Sequence, residues 1–185
     1  ATLYKTFVVK ADIKFEILQG ESIREFYDES SYARQTGTLG TSCMKNENCQ
    51  GFFNLYCDNE VKMLALLTND NKLLGRALIW SIDNINESGE KQVLNFLDRV
   101  YTVRDEDYLG LFNKWADDNN YLYKSYNNWC STLQFTSHGE ENEYELDFQL
   151  KKWDYKHLPY LDTFKWIDLE TGVLSNYRPH YFSEE

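Results

Sequence analysis

Between residues 61 and 127 the hydrophobic period of the chain switches from strand-like to helical and back. That switch limits the available folds more than any other feature. Residues 61–67 form an apolar run of strand length. Thr68-Asn69-Asp70-Asn71-Lys72 has turn chemistry, because Asn and Asp tolerate positive φ and bond nearby backbone. Residues 73–82 read as the hairpin partner, 83–91 as a polar loop and 93–103 as a third strand. The period then lengthens: Tyr108, Leu109, Phe112, Trp115 and Ala116 share one face of a helix over 105–119, ahead of a strand over 121–126. A hairpin feeding a strand–helix–strand unit predicts an α+β fold, with a mixed, mostly antiparallel sheet flanked by helices.

The flanks extend this pattern. Residues 2–18 read as one strand, with Phe7, Val9, Ile13, Phe15 and Ile17 on alternate positions. Residues 21–32 predict a helix carrying Ile23, Phe26 and Tyr27. Residues 36–42 read as a small-residue loop, and 49–57 as a short helix with Phe52, Phe53 and Tyr56 on one side. Tyr144, Leu146, Phe148 and Leu150 alternate with polar residues, predicting a half-exposed strand. An aromatic segment over 153–166, a turn at Glu170-Thr171-Gly172 and a tail over 177–185 complete the chain. No linker or repeat interrupts the 185 residues, so one domain over 1–185 is expected.

The pairing of Leu64-Ala65-Leu66-Leu67, a polar turn and Leu74-Gly75-Arg76-Ala77-Leu78-Ile79-Trp80, followed by strand, helix and strand, resembles the central core of the GNAT acyltransferase superfamily. The resemblance implies a GNAT-like core over roughly a third of the chain. In that family an Arg-x-x-Gly-x-Gly/Ala loop cradles the coenzyme A pyrophosphate at a helix N-terminus. Here the corresponding stretch is Arg104-Asp105-Glu106-Asp107, and the nearest glycine is Gly110. Three acids suit a helix N-terminus but repel a pyrophosphate. The expectation is therefore a degenerate core with no cofactor and no catalytic residue carried over. Four further phrases resemble segments of uncharacterised tailed-phage proteins, which implies a phage origin: Gly40-Thr41-Ser42-Cys43-Met44, residues 75–80, Leu97-Asp98-Arg99-Val100-Tyr101-Thr102 and Pro159-Tyr160-Leu161-Asp162-Thr163-Phe164.

Arg76, Asp98 and Arg99 interrupt otherwise apolar strands, where a charge needs a partner or a ligand. Structurally, Arg76 or Arg99 pairs with Asp98. Functionally, the three line a polar pocket for an anionic or peptide ligand, with Tyr101 and Arg104 at its rim. Cys43 is the candidate nucleophile if one of His138, His157 or His180 reaches it. Cys43, Cys49 and Cys57 lack the C-x-x-C spacing of structural zinc sites, so no metal is expected. Residues 37–42 resemble a phosphate cradle but lack the Gly-Lys-Ser/Thr that would complete one.

A net charge of −11 repels nucleic-acid phosphates and anionic membranes and favours a protein partner with a basic surface. Asp105, Glu106, Asp107, Asp117, Asp118, Glu140 and Glu141 supply the candidate acidic interaction surface, with Glu143 beside the last pair and a further acidic run at Glu184-Glu185. No apolar run approaches the roughly 20 residues of a membrane span, and the first residues lack a signal-peptide core. Four cysteines read as reduced thiols and the sequon Asn86-Glu87-Ser88 as coincidence. A cytoplasmic location, the host cytoplasm for a phage protein, is expected. The sequence thus predicts a non-catalytic acidic interaction module, in its sharpest form a phage-encoded inhibitor of a nucleic-acid-binding host or defence protein. Two alternatives stay open: an enzyme (an unorthodox acyltransferase or a Cys43 thiol enzyme), and a structural protein of a virion or larger assembly that self-associates through residues 153–166.

Overall fold

The computed structural model describes residues 5–10, 12–85 and 88–179. The end of the tail, with His180, Glu184 and Glu185, and Asn86-Glu87 of the sequon lie outside them.

The described chain is α+β, with a mostly antiparallel main sheet and few helices. Strands β1 (Lys5–Lys10), β2 (Ile13–Gln19), β3 (Lys62–Thr68), β4 (Leu73–Ile85) and β5 (Lys91–Leu97) form an antiparallel meander. A two-residue strand, β6 (Tyr101–Thr102), also pairs with β4. Helix α4 (Asp105–Asp118) then crosses over to β7 (Leu122–Lys124), which runs parallel to β5. Strands β8 (Gln134–Ser137) and β9 (Glu140–Glu143) close the far edge. A second, three-stranded sheet has the order β10 (Asp147–Gln149), β12 (Val173–Ser175), β11 (Trp166–Asp168). The other α-helices are single turns, α1 (Ser22–Glu25), α2 (Gly37–Gly40) and α3 (Asn54–Asp58), the last preceded by a 3₁₀ helix over Glu47–Phe53.

The two faces of the main sheet bury different groups. One face carries Phe15, Leu66 and Gly75 in one register row and receives α4. Phe112 meets Phe15 edge-on, with ring centroids 4.9 Å apart. Gly75 permits that approach, because an added Cβ there would stand 3.0 Å from both the Phe112 ring and Thr102. The opposite face carries Arg76 and Tyr101, one residue along in register, and packs Trp80 and Phe96 against the second sheet. Trp80, fully buried, meets Phe148 and Phe164 edge-on at 5.0 and 4.8 Å. This aromatic cluster joins the two sheets.

Three sequence expectations change. Residues 2–18 are not one strand over their described part: β1 and β2 form a hairpin with Phe7 opposite Phe15. Odd residues pair with odd ones from Lys5 to Phe7, and the register shifts only between Val8 and Lys10, beside the turn, so most of the alternation is shared by the two strands. Residues 21–32 hold one α-turn and then a 3₁₀ turn at Glu29–Ser31, because Asp28 accepts from Ser30 N–H and its carbonyl from the Ser31 hydroxyl. The strand expected over 93–103 breaks at Asp98–Val100, between β5 and β6. The β8–β9 hairpin is additional. Its turn, His138-Gly139, places both residues at positive φ, with His where Asn or Asp is usual.

Much of the irregular last third is held by asparagine side chains. Asn59 accepts from the Lys151 and Lys152 amides and donates to the Leu55 and Lys152 carbonyls. Asn176 accepts from Leu146 N–H and donates to the Thr132 and Tyr144 carbonyls. Each satisfies backbone groups that no strand partner reaches.

Candidate functional site

The break at Asp98–Val100 creates the most polar buried site. Leaving the strand turns Asp98 and Arg99 toward the sheet face that carries Arg76 and Tyr101. Together with Tyr27 and Ser42, these four residues line a cavity of about 20 Å³. Tyr160 and Asp162 close the other wall, and Tyr160 is 46% exposed at the mouth.

The charges inside are paired differently from expectation. Asp98 bonds neither arginine side chain. Its carboxylate accepts from Trp80 Nε1 at 3.0 Å, from the Thr163 hydroxyl at 2.6 Å and from Arg99 N–H at 2.7 Å. Thr163 in turn accepts from Lys124 Nζ at 3.1 Å, so a hydroxyl links cation and anion. Lys124 also donates to the Ser131 carbonyl. Burial pushes the Lys124 ammonium below its usual range, against the charges of Asp98 and Asp162. Arg99 pairs with Asp162 at 3.1 Å, and Tyr101 donates to the same carboxylate at 2.7 Å. Burial, with the nearby charge of Asp98, holds the Asp162 carboxyl above the ordinary range.

Arg76 stands apart from these pairs. It is 2% exposed and forms no ion pair among the described residues. Its guanidinium carbon lies 4.0 Å from the Tyr27 ring centroid and 5.2 Å from that of Tyr101, a cation–π contact on each. Nη2 donates to Ser42 Oγ at 3.2 Å and to Tyr32 Oη at 3.4 Å, while the buried Nε has no partner.

Arg104, expected at the rim, is not there. It is exposed and pairs with Glu106 and Asp107 at 3.2 and 3.1 Å, lining a separate surface hollow at the start of α4. Around that N-terminus the side chains bond one another, and none caps the first-turn N–H groups of α4. Asp105 Oδ1 accepts from the Thr102 and Thr38 hydroxyls at 2.6 and 2.9 Å. Thr36 donates to the Val103 carbonyl, and Thr102 N–H donates to Thr38 Oγ1. The small-residue segment over 37–42 therefore braces β6 and α4. Gly37, at φ +65°, lies so close that a Cβ there would stand 2.3 Å from the Thr102 carbonyl oxygen. Gly37→Ala adds that clash to the left-handed penalty of about 1–2 kcal/mol. We expect about 2–3 kcal/mol of lost stability by denaturant unfolding, with Gly51→Ala, which meets no atom, as a mild control.

The gap between the broken third strand and the segment after β7 is also closed by a side chain. The parallel pairing spans only Phe96↔Leu122 and Leu97↔Tyr123. Beyond it the Asn127 carboxamide accepts from Val100 N–H at 2.8 Å and donates to the Val100 carbonyl at 2.9 Å.

Cys43 is exposed and outside the cavity lining, and its carbonyl accepts from the Cys49 thiol at 3.6 Å. His138 bonds Asn120 and His157 lies edge-on to Phe52, and among the described residues neither histidine hydrogen-bonds Cys43. Among the described residues, no group of three potential ligands is arranged to hold a metal ion. Burial pushes the Cys57 thiol up to about 11. At pH 8 about one Cys57 in a thousand is thiolate, so Cys57 should be the slowest of the four to alkylate and the exposed Cys43 and Cys130 the fastest. Peptide mapping after brief iodoacetamide treatment checks the order.

The acidic residues divide into two groups. Asp105, Glu106 and Asp107 begin α4 and are spent locally, as described. Asp117 and Asp118 lie at its other end, about 20 Å away along a 14-residue helix. There Asp117 accepts from His138 N–H at 2.7 Å, which brings the end of α4 against the β8–β9 turn. Glu140, Glu141 and Glu143 are exposed along β9, and Glu145 follows. None of these four forms an ion pair among the described residues. The sequence reading included Glu140 and Glu141 but missed the hairpin that carries them.

Comparison with protein-family models, curated proteins and solved structures finds no match. Among the described residues no helix is long and apolar enough to cross a membrane.

Proposed function

We propose that this chain is a non-catalytic acidic interaction protein on a degenerate GNAT-like core, and that its partner presents a basic surface. The observation that carries the reading is the row of Glu140, Glu141, Glu143 and Glu145, exposed and in no ion pair among the described residues, along and just past an edge strand whose turn meets Asp117 at the end of α4. The two acids in the last turn of α4, where negative charge opposes the helix dipole by about 0.3–1 kcal/mol each, have local partners: Asp117 accepts from His138 N–H and Asp118 pairs with Lys114 at 2.8 Å. Among the described residues no strand covers the outer edge of β9. Its carboxylates deter a second acidic copy, while its free backbone groups suit a strand bearing Lys and Arg.

The non-catalytic part rests on one charge argument and one internal filling. Asp105, Glu106 and Asp107 place negative charge at the α4 N-terminus, where a GNAT enzyme would hold pyrophosphate, and the Asn127 carboxamide bonds the Val100 backbone beside the parallel pair. The GNAT-like part rests on the β5–α4–β7 crossover with its two-rung parallel pairing and on the break in the strand before it. Inhibition of a nucleic-acid-binding host or defence protein is the specific role we favour for a phage-encoded chain, because clustered carboxylates imitate phosphates in a basic groove.

The test is affinity capture from a candidate host at low and high salt, with wild type beside the Glu140→Lys/Glu141→Lys pair. We expect a basic protein retained at low salt, released at high salt and lost from the double variant. Retention that ignores both salt and charge reversal would sink the reading.

A further inference from the structure

The cavity described above is lined by buried Arg76, half-buried Arg99 and the buried carboxylates of Asp98 and Asp162, and buried Lys124 stands behind its wall. Arg99 is answered directly by Asp162, and Lys124 is linked to Asp98 through Thr163. Arg76 is left over. A guanidinium does not shed its charge on burial as an amine can, so it requires an anion or bears a large desolvation cost. The two tyrosine faces offset part of that cost but take none of its N–H groups. Its Nε has no acceptor, and its Nη2 bonds, at 3.2 and 3.4 Å, are long. A single water in the cavity would satisfy Nε and leave the charge unanswered.

We propose that this cavity binds a small carboxylate, held along the Nε–Nη2 edge of Arg76, with Nη2 giving up one of its two long bonds to do so. A planar two-oxygen anion matches that edge, which a halide cannot use bidentately. The volume, about 20 Å³, admits only one or two water-sized groups, so the head of the ligand enters and its body stays outside. At the mouth, the exposed ring of Tyr160 offers the body a surface. Lys165 Nζ lies 5.0 Å from that ring and 5.9 Å from the exposed Trp129 ring, placing both aromatics on the same approach. The head group therefore comes from a free small organic acid or from the end of a peptide chain. The site is independent of the acidic edge at β9, and either can fail without the other.

Saturation-transfer NMR of sodium acetate against the full chain tests the site. Wild type and Arg104→Met, an exposed arginine outside the cavity, should transfer saturation to the acetate methyl, and Arg76→Met should not. Equal transfer to folded Arg76→Met, or none to wild type, overturns the proposal. If Arg76→Met does not fold, the arginine Nε–Hε signals of wild type decide. A saturable shift of one buried Nε–Hε on adding acetate, absent with equal chloride, supports the site, and no shift overturns it. A capped dipeptide acid that binds tighter than acetate, and loses binding when amidated, assigns the carboxylate to a chain end. Equal binding of the two acids assigns it to a free small acid.

Discussion

Trp80→Ala should remove about 4–5 kcal/mol of stability, the largest effect expected of any single truncation in this chain. The indole is fully buried and meets Phe148 and Phe164 edge-on, so its loss opens a cavity where the two sheets join. It also strips Asp98 of the indole N–H that donates at 3.0 Å, leaving a buried carboxylate short of one donor. Trp80→Phe separates the contributions: it keeps most of the packing and loses the donor, and should cost about 2 kcal/mol. Urea titrations of both variants check the order. Near-equal losses would mean that the hydrogen bond, and not the packing, dominates at this position.

Alkaline pH should unfold the protein over a narrow range above pH 10. Burial raises the Tyr27 phenol to about 12, against the coulombic pull of Arg76. Burial also holds Tyr56 well above its ordinary value, and lifts Tyr101 with help from the charge of Asp162. A raised phenol keeps its proton more firmly in the folded chain than in the unfolded one. Its contribution is complete below the unfolded value, about 10, and drains away as pH climbs through the folded value. For Tyr27 the difference amounts to roughly 3 kcal/mol. Tyr56 and Tyr101 add to it in the same direction. Tyrosinate absorbance and circular dichroism followed together should change in one cooperative step. A smooth phenol titration with an unchanged fold would show that these rings reach solvent without unfolding.

The β3–β4 hairpin and α4 were legible because period and turn chemistry agreed: the run over 61–67, the Asn-Asp turn and the stripe from Tyr108 to Ala116 each point to one structure. The β1–β2 hairpin was not, because its register preserves alternation and no Gly or Pro marks the turn. The β8–β9 hairpin was hidden by a histidine in a turn position that usually announces itself with Asn. At the cavity, Arg76, Asp98, Arg99 and Tyr101 stood out as polar residues in apolar strands, and the fold does bring them together. Their partners were not legible. Asp162 and Thr163 come from a segment with no periodic signal, Lys124 comes from an expected strand, and distance along the chain conceals which charge answers which. Arg104 was misplaced because the expected third strand was drawn unbroken. The break turns Arg99 inward, whereas Arg104 stays with the acids that open α4.

The asparagine clamps imply an order of assembly. A strand finds its hydrogen-bond partners in a neighbouring strand, but residues 144–152 find several of theirs in two side-chain amides. One of these, Asn59, sits 93 residues away from Lys152. Such bonds can form only after the meander has fixed Asn59 in place, and closing so long a loop is slow. The last third should therefore fold late on a finished template. During that interval its aromatic residues would be uncovered, and the chain would be most vulnerable to aggregation and proteolysis before Asn59 and Asn176 engage.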